Sequence, residues 1–523
     1  MVADPELFIA LVAPVGVNLD LVCDVVEVEL SRVGYQTQLI KLSALLHEFE
    51  KYHDLPQSPE EKRYDTHMTA GNDVREAFKR GDALALLAIS NLADTRQEIT
   101  GSANKPAPHT AYIFRSLKHP EELETLRKVY GPSLYSISAY ATRESRVRVL
   151  SDVFGRSHGE VQSDRYRPDA ERIILRDEAE VYKLLGQNVR ETFPQADFFV
   201  RADDRRLLEE DLRRFVRILF GHPFCTPNRP EHGMFHAKAA ALRSADLSRQ
   251  VGAVICNEEG DILGLGCNDV PKTHGGLYWT DDENDRRDFV LGYDSSSRMR
   301  DDILRELFVR MKEKNWLESE RGKKDADELL IEALTIGDPP LLKSSQITNL
   351  LEFGRPVHAE MAALMDAARL GISVKGAEMY CTTFPCHICA RHIVAAGIKR
   401  VTYIEPYPKS MVPKLYSDSI SIDAYPEPRT QVSFLPFRGI APRSYERLFE
   451  MRDRKDERGK ALQWKETSAK PRLQQFYASY ISLERQIITN LRGELEGLGL
   501  KRVQTGSEEY GETRMVGPAD AAG

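Results

Sequence analysis

Two short motifs constrain this chain most: His358-Ala359-Glu360 and, 25 residues beyond the glutamate, Pro385-Cys386-His387-Ile388-Cys389. Two cysteines spaced C-x-x-C at a helix start can place both sulfurs on one metal, and a histidine from a second helix start completes three protein ligands of a tetrahedral zinc. The fourth position stays open for water, whose pKa such an ion lowers towards neutrality, while the positive ends of the two helices favour thiolate and hydroxide. Glu360 follows His358 by two residues, so on the first turn of the same helix it reaches that water without being a ligand, which is the spacing a proton shuttle needs. The competing reading is a closed structural zinc site with Cys381 or His387 as fourth ligand. Such a site needs no glutamate at the second helix position. Cys381, alone at a strand end, reads instead as a buried small side chain, and His387 and His392 as surface or packing residues.

A chain of 523 residues exceeds what one compact core holds, so at least two domains are expected. Hydrophobic residues at 41% and charged residues at 29% match a soluble globular protein. No apolar run approaches the roughly 18 to 20 residues of a membrane span, and the start Met1-Val2-Ala3-Asp4-Pro5 carries no secretory pattern, so no membrane contact and a cytoplasmic location are expected. The net charge of -8 argues against a surface built for long nucleic acid and favours a small-molecule substrate. Seven cysteines, scattered except for Cys381, Cys386 and Cys389, read as thiols and metal ligands, not as a disulfide framework.

The fold class expected is α/β. The apolar run 7–13 stops at Pro14-Val15-Gly16 and precedes a helical pattern over 19–33; similar runs at 83–88, 110–114 and 133–139 alternate with polar helical stretches, which favours a parallel sheet. Residues 1–200 are expected as a first domain, 201–233 as a linker, 234–450 as a second domain, and 451–523 as a charged helical tail with a disordered end. In the second domain we expect a helix over 234–247, a hairpin of strands 252–256 and 262–267, a helix over 359–370, a strand over 377–382, a helix over 386–396 and a strand over 400–404. Residues 269–356 read as an insertion, with a helix over 301–316, that could cover a site. An amphipathic helix is expected over 473–491.

Beyond the metal motif, the runs Val251-Gly252-Ala253-Val254-Ile255, Gly264-x-Gly266-x-Asn268-x-Val270-Pro271-Lys272 and Gly397-Ile398-Lys399-Arg400-Val401-Thr402-Tyr403 complete a pattern that resembles the cytidine and deoxycytidylate deaminase superfamily over about residues 234–420. The resemblance implies a C-terminal α/β/α fold, Zn2+ on His358, Cys386 and Cys389, and Glu360 carrying protons between water, cytosine N3 and the departing ammonia. It further implies that Asn268 holds the deoxyribose or base, that Ala359, Thr383, Phe384 and Pro385 frame the cytosine, and that Lys272 and Lys409 are candidates for phosphate. As a whole the chain is similar to bacterial anti-phage dCTP deaminases, which join a P-loop kinase-like domain to a dCMP deaminase-like domain. That similarity implies deamination of dCTP or dCMP, depletion of the cytosine deoxynucleotides phage needs, and a homo-oligomer; a regulatory nucleotide or RNA stays open.

The N-terminal domain departs from its kinase-like pattern. A phosphate-binding loop reads G-x-x-x-x-G-K-S or -T; here the turn is Ala13-Pro14-Val15-Gly16-Val17-Asn18-Leu19-Asp20, and no lysine occurs before Lys41. Arg143 and Arg146 stand where a lid would carry arginines. Without the lysine and the hydroxyl, phosphoryl transfer loses most of its electrostatic stabilisation, so a degenerate domain that regulates or senses is expected, with Gly16, Arg143 and Arg146 as its candidate nucleotide contacts. Two other functions are weighed. A deaminase of a base in RNA or single-stranded DNA would need a basic groove with aromatic residues, and no concentrated run of that kind is present. A zinc-stabilised regulatory nucleotide-binding protein would have no use for Glu360.

Overall fold

The computed structural model describes residues 4–179, 185–337, 340–342, 345–349, 353–406, 410–451, 453–472 and 479–501. Its architecture rests on two six-stranded, mostly parallel sheets. The strands are β1 Leu7–Val12, β2 Gln36–Lys41, β3 Thr110–Leu117, β4 Leu134–Tyr140, β5 Phe198–Arg201, β6 Gly252–Cys256, β7 Ile262–Cys267, β8 Glu378–Thr383, β9 Arg400–Glu405, β10 Ile420–Ile422, β11 Val432–Pro436 and β12 Gly439–Ile440.

The first sheet has the order β12-β5-β4-β1-β3-β2, parallel except for β12. Strand β1 is apolar throughout because it is buried on both faces: Phe8, Ala10 and Val12 enter one core, Leu7, Ile9 and Leu11 the other. Helices Leu19–Arg32 and Arg205–Leu219 cover the second core, and helix Ala83–Thr100 the first. The expected strand at 83–88 is thus the start of a helix. Its residues Ala83 to Ile89 are all buried, and a helix apolar on every side loses the 3.6-residue signature that separates it from a buried strand. Strand β2, unexpected from sequence, lies at the sheet edge, where its polar alternation Gln-Thr-Gln gives little apolar signal.

The second sheet has the order β10-β11-β9-β8-β6-β7, with β6 and β7 forming the expected antiparallel hairpin. Helix Arg229–Ala241 lies on one face, through Met234 and Ala237 against Val254 and Cys256; helices Ala359–Arg369 and His387–Ala395 lie on the other, with Ala253 and Ile255. The first of these starts earlier than expected because Asn228 and Glu231 form a capping box around Pro230. Within residues 269–356 the structure forms helices Ser295–Glu313 and Ala326–Thr335, among shorter ones.

The two halves interlock. Residues 201–233, expected as a linker, contain helix Arg205–Leu219, whose Leu208, Leu212 and Phe215 are core residues of the first sheet. After β11 the chain crosses back, so that β12 pairs with β5. The pair of half-buried Arg214 with buried Glu231 joins the crossing, with Glu231 also accepting the Ile440 amide at 2.8 Å. The tail is no appendage either: helix Tyr480–Leu498 enters the first core, where buried Arg96 bonds Glu6 at 2.8 Å and Glu484 at 2.5 Å and Tyr480 donates to Glu6 at 2.8 Å. The expected disordered end lies outside the described residues. Among the described residues no helix is long and apolar enough to cross a membrane.

Candidate metal centre

Helix His387–Ala395 begins four residues after β8 ends, with Cys386 as its N-cap; His358 is the N-cap of helix Ala359–Arg369. The second helix reaches the site because β7 lets it lie almost on the strand. A Cβ on Gly266 would stand 2.2 Å from the Ala359 carbonyl oxygen, and one on Gly264 2.6 Å from that of Ala363. Only glycine permits this approach.

The two helix starts bring His358, Cys386 and Cys389 together, with one donor atom from each lying within 4.8 Å of the others. His358 Nδ1 is 3.2 Å from Cys386 Sγ and 3.4 Å from Cys389 Sγ, and the Cys389 amide donates to Cys386 Sγ at 3.5 Å. Hydrogen bonds from Cys389 and His358 pull the Cys386 thiol down to about 4, and the bond to that thiolate pushes His358 up to about 9. The Cys389 thiol is driven well above its ordinary value, first by sharing its proton with Cys386. A thiolate gathered beside an imidazole and a second thiol, on two helix N-termini, is a donor set that fits zinc. Among the described residues no fourth side chain joins the three. Cys381 sits fully buried in the core of the second sheet, and burial pushes its thiol well up.

Glu360 is 4% exposed, and desolvation followed by the nearby Cys386 thiolate raises its carboxyl pKa. It opens, with His358 and Cys386, into a cavity of about 490 Å3. Ala359, Asn268, Thr383 and Phe384 line the same cavity. Asn268 does so as part of the wall: its side-chain oxygen accepts the Val251 amide at 2.7 Å and its nitrogen donates to the Arg249 carbonyl at 2.8 Å. Pro385 is not in the lining; its carbonyl accepts the Ser410 hydroxyl at 3.0 Å. Lys272 is not in the lining either. Its ammonium is clamped by both oxygens of Asp282 at 2.9 Å, so the phosphate contact expected of it is not placed at this cavity. Lys409 lies outside the described residues.

The arginines that do face the cavity, Arg190, Arg249 and Arg300, come from three separate segments that no motif joins, and the sequence reading missed them. The run Ser295-Ser296-Ser297, at the start of a helix inside the insertion, was the one signal available: Ser296 and Ser297 line the cavity.

In the first half, Gly16 adopts φ +89°, and a Cβ there would meet Arg146 Cβ at 2.8 Å. The turn finds its polar partners within the chain. The Val15 amide donates to Asp177 at 2.8 Å, Lys118 bridges Asp177 at 3.3 Å and the Ala13 carbonyl at 3.0 Å, and Arg143 and Arg146 both pair with Glu178, at 3.2 and 2.8 Å. The Val15 amide and the cations beside this turn are thus paired with carboxylates of the chain itself.

Residues 227–405 match the family described as the cytidine and deoxycytidylate deaminase zinc-binding region. Deoxycytidylate deaminase of Enterobacteria phage T2 is 48% identical over 54 residues, 10% of this chain and 29% of the relative. The Homo sapiens deoxycytidylate deaminase is 27% identical over 175 residues, 34% of this chain and 64% of that protein. A crystal structure of dCMP deaminase from the cyanophage S-TIM5 aligns at 18% identity over 40% of this chain and 99% of its own, with a TM-score of 0.21. The chain spans under a third of the length of the first curated relatives it matches. The C-terminal half therefore contains a deoxycytidylate deaminase-like domain, and zinc is the cofactor of its centre.

Proposed function

We propose that this centre hydrolyses the amino group of cytosine in a deoxycytidine nucleotide, dCTP or dCMP, consuming one water and releasing ammonia and the uracil nucleotide. The observation that carries the reading is the buried Glu360 carboxyl, held two residues past a helix N-cap ligand and facing the same cavity as His358 and Cys386. Zinc, when bound by His358, Cys386 and Cys389, supplies an acidified water at neutral pH. Glu360 takes one proton from water and gives it to cytosine N3, then takes the remaining proton of the hydroxyl added at C4 and delivers it to the leaving nitrogen, so that ammonia departs and the C4 carbonyl forms. Phe384 and Thr383 offer an apolar wall and a hydroxyl to a flat heterocycle, and the low exposure of the site keeps bulk water from competing with Glu360.

The test is ammonia release from the zinc-loaded chain with dCTP, dCMP, CTP, cytidine and a short single-stranded DNA. Turnover of the deoxycytidine nucleotides is expected; preference for the oligonucleotide overturns the reading. We further propose that the first half is a degenerate kinase-like domain that regulates, supported by the internal carboxylates at its Gly16 turn. The role in defence against phage rests on family resemblance; expression of the chain in infected cells should lower their dCTP, and an unchanged pool would refute it.

A further inference from the structure

Resting on the nucleotide reading above, we propose that Arg190, from the first half of the chain, binds the substrate's phosphate groups and is the residue through which that half completes the deaminase cavity. Arg190 lines the cavity together with Glu360 and Cys386, although more than 160 positions separate it from them in the sequence. Its placement is rigid. It sits on the short helix Val189–Thr192, whose cap Asn188 accepts the Glu191 amide through its side chain at 3.2 Å and donates its own amide to Lys118 O at 2.7 Å. Val189 is buried in the first core and Thr192 is fully buried.

The cavity's charges single this guanidinium out. Of the other cations on the wall, Arg249 pairs with Glu405 at 3.3 Å and Arg300 with its neighbour Asp301 at 2.7 Å. The wall's aspartates are also engaged: Asp246 accepts the Ser248 amide, Asp288 holds Ser295 and Arg355, and Asp294 caps the amides of Ser296 and Ser297. No ion pair ties Arg190 among the described residues. A planar guanidinium without a carboxylate, facing a polar cavity, matches the bidentate geometry of a phosphate. The Ser296 hydroxyl on the same wall suits a phosphate oxygen as well, while the Ser297 hydroxyl donates to Asp294 at 3.2 Å. Lys272, committed to Asp282, is not needed for this role.

The experiment uses the full zinc-loaded chain with Arg190→Ala and Arg190→Lys. Two readouts are followed: KM and kcat for dCMP and for dCTP, and binding of inorganic pyrophosphate by calorimetry. We expect Arg190→Ala to raise KM about tenfold or more with a smaller change in kcat, and to weaken pyrophosphate by a similar factor, with Arg190→Lys recovering part of both. Unchanged KM and unchanged pyrophosphate affinity in Arg190→Ala overturn the proposal, as does a loss of kcat alone with pyrophosphate binding intact. If the unaltered chain binds pyrophosphate through Arg190 yet releases no ammonia from either nucleotide, the phosphate site stands and the deaminase reading falls.

Discussion

Replacing Gly266 by alanine tests how the metal centre is positioned. Strand β7 and helix Ala359–Arg369 touch so closely at this residue that the new Cβ would lie 2.2 Å from Ala359 O and 2.4 Å from Ala363 N, against 3.4 Å for an ordinary contact. The atoms met are backbone, so no side-chain rotation relieves the clash, and the helix start must retreat by about 1 Å. That movement carries His358 and Glu360 away from Cys386 and Cys389. Overpacking of this kind costs about 1–3 kcal/mol, and a 1 Å misplacement of catalytic groups costs on the order of 100-fold in rate. Expected readouts are a melting temperature lower by several degrees, a loss in kcat of about two orders of magnitude, and weaker zinc retention during dialysis against chelator. Gly493→Ala is the control: it lies within helix Tyr480–Leu498 with nothing within 4 Å of the added carbon, and should be neutral or slightly stabilising. Gly266→Ala with ordinary turnover, zinc content and melting would show that close strand-to-helix contact does not set the geometry of the site.

Other expectations follow from single groups. Glu360→Gln keeps the shape of a buried side chain and all three donors, so zinc content should hold while kcat falls about 100- to 10,000-fold; a loss under tenfold would remove its role as proton carrier. Stripping zinc with a chelator should abolish ammonia release and lower the melting temperature, and added zinc should restore both; activity surviving at under one-tenth zinc occupancy would refute the dependence. Asp177→Ala leaves the Val15 amide without its acceptor and Lys118 without its carboxylate partner, though still bonded to the Ala13 carbonyl, for a cost of about 1–3 kcal/mol seen in chemical denaturation, and an unchanged midpoint would show the internal carboxylate to be dispensable. Burial pushes the Asp211 carboxyl up to about 6, above its unfolded value, so it destabilises the fold once it ionises: the penalty is absent below about pH 4 and complete above about pH 6. Asp211→Asn should therefore stabilise by up to about 3 kcal/mol at pH 7.5 and by little at pH 4; an equal effect at both would break the argument.

The centre was legible in the sequence because its chemistry is local. An N-cap histidine with glutamate two residues on, and a C-x-x-C at a helix start, have their local geometry set by a single turn of helix, so spacing alone points to three donors that lie together and a carboxyl that faces the same cavity. The hairpin β6–β7 was legible for the same reason, through its turn Glu258-Glu259-Gly260-Asp261 and the strands on either side. Contacts made across the chain were not legible. Asp177 accepting the Val15 amide, β12 returning to pair with β5, helix Tyr480–Leu498 docking through Glu484 onto Arg96, and Arg190 entering the cavity each join segments distant in sequence. Lys272 shows the converse: its position in the motif suggested phosphate, and its partner Asp282, ten residues on in the insertion, directs it elsewhere. Which charges remain available to a ligand depends on which charges the folded chain has already paired, and only the tertiary structure decides that pairing.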